Sequence, residues 1–107
     1  HLFSSAASDV YKRQDEDRAI EILEKMRTDF LQLEAMIKVQ GFSRNTMKRG
    51  KWSRWEKAYP EIVSSLVFIY RATNRLDDAE FILTDWVVRH PSDDNAKKIL
   101  DEIRSGG

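Results

Sequence analysis

A chain of 107 residues with 18 basic and 18 acidic side chains supplies one small domain, and its formal net charge of +0 argues against a dedicated electrostatic binder of nucleic acid. It contains no cysteine, which excludes disulfide scaffolds, thiolate zinc sites and thiol catalysis and leaves the cellular compartment undetermined. No apolar run reaches the roughly 18 residues that span a bilayer, so no membrane span is predicted.

Residues 1–14 are expected to be a non-native, disordered leader. Residues 4–14 read SSAASDVYKRQ, which resembles without a mismatch one reading frame of the transposon-end adapter used in sequencing libraries. The resemblance implies a fragment taken from an environmental (metagenomic) or shotgun assembly, with its natural N-terminus missing. A genuine disordered tail is the alternative. The fold is therefore predicted from residues 15–107, taken as a single domain.

The first predicted element is an amphipathic helix over residues 17–39. Its apolar residues recur at three- and four-residue steps, and Arg27 alone interrupts the stripe. Acidic residues precede the helix, where its dipole favours negative charge, and Gly41 follows it as a terminator. The members of the stripe are Ile20, Leu23, Phe30, Leu33 and Ile37.

Residues 41–59 are predicted to form a loop, because turn-forming residues replace the apolar periodicity there. Within this loop, Ser53 and Glu56 have the spacing of a capping box, which predicts a short helix over residues 54–58. Pro60 is tolerated in the first turn of a helix and disfavoured in its interior. A new helix is therefore expected to begin at Pro60.

Three further helices are predicted, over residues 60–72, 77–89 and 93–104. Each has one apolar face at helical spacing, and no strand is predicted, so the fold class is all-α. The first face consists of Ile62, Val63, Leu66, Ile69 and Tyr70, the second of Ala79, Ile82, Leu83, Trp86 and Val87, and the third of Ala96, Ile99, Leu100 and Ile103.

The ends of these helices have recognisable signals. Asn74 is expected to adopt the left-handed conformation that closes a helix, and the pair His90-Pro91 is expected to stop the next one, because a residue before proline avoids helical angles. Asp77 and Ser92 are the expected N-terminal caps of the last two helices.

Residues 60–103 resemble one tetratricopeptide-repeat (TPR) unit followed by a solvating helix. Tyr70, Ala79 and Pro91 stand at the family's large aromatic, small and terminating proline positions, within a repeat of about 34 residues. The resemblance implies antiparallel helical hairpins belonging to an α-solenoid, and a generic helical hairpin is the alternative. The chain departs from the family pattern at Val63, Val67, Leu83 and Trp86.

The first helix carries a weaker resemblance to the third. Residues 17–23 read DRAIEIL and residues 77–83 read DDAEFIL, with the same order of acid, alanine and aliphatic residues. This similarity predicts that the long helix is the second helix of a preceding repeat. Against that prediction, the helix has no proline stop and continues to Val39.

The TPR resemblance implies a protein-interaction or scaffolding module from a larger protein, whose groove receives a peptide or partner helix. In that family the first helix of each pair usually lines the groove. The candidate partner-binding residues are therefore Ser64, Ser65, Phe68 and Arg71. The partner's identity and the compartment are left undetermined, and self-association through uncovered apolar helix faces is a further expectation.

Two other functions fit the sequence. The chain could be the non-catalytic helical C-terminal tail of a larger enzyme. It could also bind nucleic acid or an acidic partner through a basic loop over residues 42–59, where cations alternate with aromatic rings. The competing interpretation is a solvated loop whose tryptophans fold back onto the helices. The loop candidates are Arg44, Lys48, Arg49, Lys51, Trp52, Arg54 and Trp55.

No catalytic, cofactor-binding or metal site is predicted. His90 is the only histidine outside the leader, and it lies at a helix end, where histidine usually meets the terminal carbonyls. A zinc site would need several histidines or cysteines at short spacing. Gly41 and Gly50 are isolated, so no glycine-rich phosphate loop is present. The chain is therefore expected not to be an enzyme.

Overall fold

The computed structural model of the protein describes the backbone of residues 2–40 and 46–106 and the side chains of residues 14–39 and 52–106. Four helices occupy these ranges, which contain no strand, and the all-α fold class is therefore confirmed for the described part of the chain. The helices are α1 (Leu2–Gln40), α2 (Thr46–Ala72), α3 (Leu76–Arg89) and α4 (Asp94–Arg104).

The helices pack in chain order. The backbone of α1 contacts α2, α2 contacts α3, and α3 contacts α4, whereas no backbone contact joins α2 to α4. Because each helix covers the apolar face of its predecessor, the chain builds a layer of antiparallel neighbours one helix at a time. Such stepwise packing is compatible with a helical repeat, in which each unit touches only its neighbours.

A single apolar core runs through all four helices. Leu66 of α2 and Ala79 of α3 lie at its centre with 0% of their surface exposed, and none of the buried residues in the described ranges is polar or charged. The rest of the buried core consists of Ile20, Phe30, Tyr59, Ile62, Val63, Val67, Tyr70, Ile82, Leu83, Ala96, Leu100 and Ile103. The apolar faces expected for α2, α3 and α4 therefore contribute to the core, whereas of the stripe predicted for α1 only Ile20 and Phe30 are buried and Leu23 packs against them; Leu33 and Ile37 are not part of the core. Val67 joins it, while Ile69, Trp86, Val87 and Ile99 are half-buried at its edge.

The first helix is longer than the periodicity predicts. The prediction of a disordered leader over residues 1–14 is wrong for the backbone of residues 2–14, which continues α1. Neither proline nor glycine occurs between Leu2 and Gln40, so nothing in this stretch interrupts the hydrogen-bond ladder. Among the described side chains of α1, which begin at residue 14, the first buried one is Ile20, within the predicted amphipathic segment.

The loop predicted over residues 41–59 is wrong from Thr46 onward, because α2 begins there and runs unbroken through Pro60. Trp52, Trp55 and Tyr59 stand three and four residues apart, so they share the face of α2 that packs on the core. This burial outweighs the helix-weakening effects of Gly50 and Pro60. Residues 41–45 lie outside the described ranges.

The two turns between the later helices follow local rules. Asn74 has φ 61°, as expected of the residue that ends α2, and α3 ends at Arg89 with His90 as its C-terminal cap. The predicted N-terminal caps are both displaced. Asp93, rather than Ser92, caps α4 with its side chain, and α3 begins at Leu76 without a side-chain cap.

An ion cluster joins α1 to α3 and explains the charged residue in the apolar stripe of α1. Arg27 Nη2 lies 3.5 Å from Asp85 Oδ2, and Arg89 reaches Glu34 Oε2 at 2.7 Å and Asp85 Oδ2 at 3.2 Å. Arg27 therefore lies between the helices with a mostly buried side chain, and its Nε atom has no hydrogen-bond partner. These ion pairs link α1 directly to α3.

Candidate functional site

A groove of about 330 Å³ lies between α2 and α4, with α3 as its floor. It exists because α2 and α4 both pack on α3 and their backbones make no contact with each other, which leaves a channel between their inner edges. The α2 wall is formed by Pro60, Val63, Ser64, Val67, Phe68 and Arg71. The floor and the α4 wall are formed by Leu83, Trp86, Asp93, Asn95, Ala96 and Ile99. This channel is called the α2–α4 groove below.

The chemistry of the groove is mainly apolar. Valine, leucine, isoleucine and tryptophan side chains form its depth, and Phe68 stands at its edge with 73% of its surface exposed. A large aromatic side chain held in water beside an apolar channel is a typical anchor point for a partner. The uncharged polar side chains, Ser64 and Asn95, lie on opposite walls, and the charged ones are Arg71 and Asp93.

An ion pair crosses from α2 to α4 beside the groove. Arg71 Nη2 on α2 lies 3.5 Å from Glu102 Oε2 on α4, and both side chains are about half exposed. Exposed pairs of this kind contribute at most about 1 kcal/mol, since water screens them. The pair can therefore open at little cost, which makes Arg71 available to a bound partner.

A stronger polar contact defines the other end of the groove. Trp86 Nε1 donates to Asp93 Oδ2 at 2.9 Å, and the backbone N–H of Ala96 donates to Asp93 Oδ1 at 3.0 Å. The hydrogen bond from Trp86 first, and then the one from Ala96, hold the pKa of Asp93 below its ordinary value of 3.8. Asp93 thus fixes α4 against α3 in its ionised form.

Because the folded protein depresses the pKa of Asp93, its contribution to stability is complete above the unfolded value near 3.8 and is lost as the pH falls through the lower folded value. We expect Asp93→Asn, which keeps a capping oxygen but cannot ionise, to lower the melting temperature at pH 7 by a few degrees. The difference from the unmodified chain should shrink below pH 4, as followed by circular dichroism. Asp94→Asn, on the exposed neighbour, is the control, and a difference that is independent of pH would contradict the prediction.

Three of the four predicted partner-binding residues meet at the groove. Ser64, Phe68 and Arg71 line it together, because they lie three and four residues apart on α2. Ser65 is exposed but is not among the lining residues, since it is rotated away by one position along the helix. The partners of these residues on α4 could not be paired with them from sequence, because α4 lies some thirty residues away along the chain. The sequence indicates only that Asn95 and Ile99, four residues apart, lie on one face of α4.

The residues predicted to form a basic loop do not line the α2–α4 groove. Trp52 and Trp55 are half-buried against the core, and Trp52 stacks on Phe30 with 4.9 Å between ring centroids. Arg54 is exposed on α2. Arg44 lies outside the described residues, as do the side chains of Lys48, Arg49 and Lys51, whose backbone belongs to α2. The described tryptophans thus stabilise the fold, as the competing interpretation expected, although they lie on a helix and not in a loop.

Comparison of the chain with protein-family models, with curated proteins and with solved structures gives no match. No group of three or more metal-ligating side chains occurs among the described residues. Within the same residues, no helix combines the length and the apolar character needed to cross a membrane.

Proposed function

We propose that this chain is a protein-interaction or scaffolding module, a TPR-like fragment of an α-solenoid, and that the α2–α4 groove receives a segment of a partner protein. The observation that carries the proposal is the position of Phe68, which is 73% exposed at the edge of an apolar channel of about 330 Å³. An aromatic side chain at the rim of a preformed apolar cleft is a common centre of binding energy.

The dimensions and chemistry of the groove support a peptide as the occupant. A channel bounded by two helices and floored by a third can accept a row of side chains from one extended or helical segment. Its apolar depth would bury aliphatic or aromatic side chains of the partner, while Ser64 and Asn95 would hydrogen-bond to the partner's backbone or polar groups. Arg71 adds a cation once its exposed pair with Glu102 opens.

The TPR-like part of the proposal is supported by three positions. Tyr70 is buried between α1 and α2, and its hydroxyl donates to the Glu24 carboxylate. Ala79 is fully buried in α3, where a larger side chain would force α3 outward. Pro91 follows α3 and is exposed in the turn before α4. These are the roles that the family's aromatic, small and proline positions have in a repeat.

The proposal predicts a specific pattern in a selection of random peptides displayed on phage against the full chain. We expect enriched peptides to carry apolar anchors and to lose at least tenfold in affinity for Phe68→Ala, measured by isothermal titration calorimetry. The matched control is Phe81→Ala, because Phe81 is equally exposed at 70% but lies on the outer side of α3, away from the groove.

Two further measurements distinguish a loss of peptide binding from a loss of folding. Phe68→Ala should leave the melting temperature nearly unchanged, because an exposed side chain contributes little to the free energy of unfolding. Ser64→Trp should obstruct the groove and weaken the same peptides. If the selected peptides bind Phe68→Ala and Ser64→Trp as tightly as they bind the unmodified chain, or if no peptide is enriched, the α2–α4 groove is not the interaction site.

A further inference from the structure

The length of the α2–α4 groove limits the partner segment that it can hold. Pro60 and Arg71 both line the α2 wall and lie eleven residues apart, so the wall is about 16 Å long at the helical rise of about 1.5 Å per residue. That length matches about three turns of a partner helix, or about five residues of an extended chain with its rise of about 3.3 Å per residue. The hydrogen-bonding groups of the walls distinguish these two conformations.

The walls of the groove offer few hydrogen-bonding groups to a peptide backbone. Both walls are α-helices, whose interior N–H and C=O groups are paired within the helix, so they present no strand edge. Asp93 already accepts from Trp86 with one carboxylate oxygen and from the N–H of Ala96 with the other. Ser64 and Asn95 are the uncharged polar side chains of the lining.

An extended chain in this groove would leave much of its backbone unpaired. Five extended residues carry about ten backbone N–H and C=O groups, which point sideways, toward the two helical walls. Each group that loses water there without gaining a partner costs the free energy of its desolvation. A helix pairs its own backbone and presents only side chains to the walls. The lining of the groove therefore favours a helical occupant.

Lys98 gives the groove an unpaired positive charge on its α4 side. It lies three residues after Asn95 and four residues before Glu102, so it shares the side of α4 that borders the groove. Lys98 is exposed and makes no ion pair or hydrogen bond with the described residues. Its ammonium group is therefore available to a carboxylate of a bound partner.

The charges along both edges of the groove are positive in sum. Glu102 is held by Arg71, so these two charges compensate each other. The other charged side chains on the groove-facing stripes of α2 and α4 are exposed and without an ion pair among the described residues; they are Lys57, Glu61 and Lys98. Two cations against one carboxylate favour a partner with acidic residues beside its apolar face.

We propose that the partner segment in the α2–α4 groove is an amphipathic helix of about three turns, with one apolar stripe facing the groove and a carboxylate beside Lys98. This inference rests on the proposed function and adds the conformation and the charge of the occupant. Apolar residues at positions i, i+3 or i+4 and i+7 of the partner would pack on Val63, Val67 and Ile99, with Phe68 along one edge.

The conformation is tested with the Phe68-dependent peptides, defined as phage-selected peptides that lose at least tenfold in affinity for Phe68→Ala. Each is synthesised with ¹³C at its Cα atoms and bound to the full chain, and the Cα chemical shifts report its backbone conformation. We expect helical shifts over two to three turns. Extended-chain shifts would overturn the helical occupant and leave the groove as the binding site, whereas a selection without any Phe68-dependent peptide would overturn the proposed function as well.

A pair of substituted peptides measures the same property through affinity. A central position of the peptide that tolerates alanine is replaced by proline or by 2-aminoisobutyric acid, which favours a helix. We expect the proline peptide to bind at least tenfold more weakly, because proline breaks a helix in its interior, and the aminoisobutyric acid peptide to bind at least as tightly as the alanine peptide. Equal affinities of the two substituted peptides would contradict a helical occupant.

The charge of the occupant is tested by Lys98→Glu in the full chain. We expect this change to weaken the Phe68-dependent peptides at least fivefold at low salt, and the loss to shrink at high salt. The matched control is Lys97→Glu, because Lys97 is also exposed but lies seven residues before Arg104, on the side of α4 where Arg104 pairs with Glu80. Both variants should keep the melting temperature of the unmodified chain. Equal affinities of the two variants would overturn the carboxylate beside Lys98.

Discussion

Replacing Leu66 with alanine is expected to lower the free energy of unfolding by about 3–4 kcal/mol. Leu66 is the largest side chain in the described ranges that is fully buried, with 0% of its surface exposed. Removing a leucine side chain from such a position costs the lost transfer free energy and the cavity left behind, which together amount to about 2–5 kcal/mol. A small domain has only about 5–15 kcal/mol of stability in total, so this change should bring it near its unfolding threshold.

Urea denaturation followed by circular dichroism measures this effect. The matched control lies two residues further along α2: Phe68 is 73% exposed, so Phe68→Ala should change the free energy of unfolding by less than about 0.5 kcal/mol. The contrast between two faces of one helix turn tests the rotation of α2 directly. If Phe68→Ala were as destabilising as Leu66→Ala, α2 would be rotated and the α2–α4 groove would not exist as described.

Phe30→Ala is expected to be comparably damaging, at about 3–4 kcal/mol, and to loosen α1 in particular. Phe30 is 3% exposed and lies between Trp52 and Tyr59, with ring centroids 4.9 and 4.1 Å away. Aromatic pairs add about 0.5–1.5 kcal/mol beyond the burial of their surface. These three rings form much of the contact between α1 and the first half of α2. Removing the Phe30 ring should therefore weaken the attachment of α1 to α2.

Hydrogen exchange measured by mass spectrometry distinguishes local opening of α1 from unfolding of the whole chain. We expect exchange in Phe30→Ala to accelerate in α1 and the first half of α2 more than in α3 and α4, because the latter keep their own contacts. Phe81→Ala, which removes an exposed phenylalanine from α3, should leave the exchange pattern unchanged. Uniform acceleration along all four helices would show that α1 does not open separately.

Part of this architecture follows from local sequence rules. The left-handed Asn74 closes α2, and the stop at His90-Pro91 closes α3, because each depends on backbone geometry within one or two residues. The buried faces of α3 and α4 also follow from helical spacing, since both helices are amphipathic over their whole length. The candidates Ser64, Phe68 and Arg71 line one groove because they share one face of α2, and their role in binding stays a prediction.

Where the prediction failed, a distant contact outweighed a local signal. Gly50, the Ser53–Glu56 spacing and Pro60 all indicate a loop followed by a new helix, and yet α2 runs through them. The cost of glycine and proline in a helix, about 1 and 3 kcal/mol, is offset by packing the aromatic side chains of this segment against α1 and the core. Periodicity alone could not reveal that burial, because its partner Phe30 lies on another helix.

By itself the sequence determined four amphipathic segments, an all-α class and the turns that separate the last three helices, because these depend on residues close together in the chain. Only the tertiary structure decided which surfaces face each other. The α2–α4 groove forms because α3 holds two helices apart. It is a space between elements, and such a space is set by how helices pack and not by the propensity of any one of them.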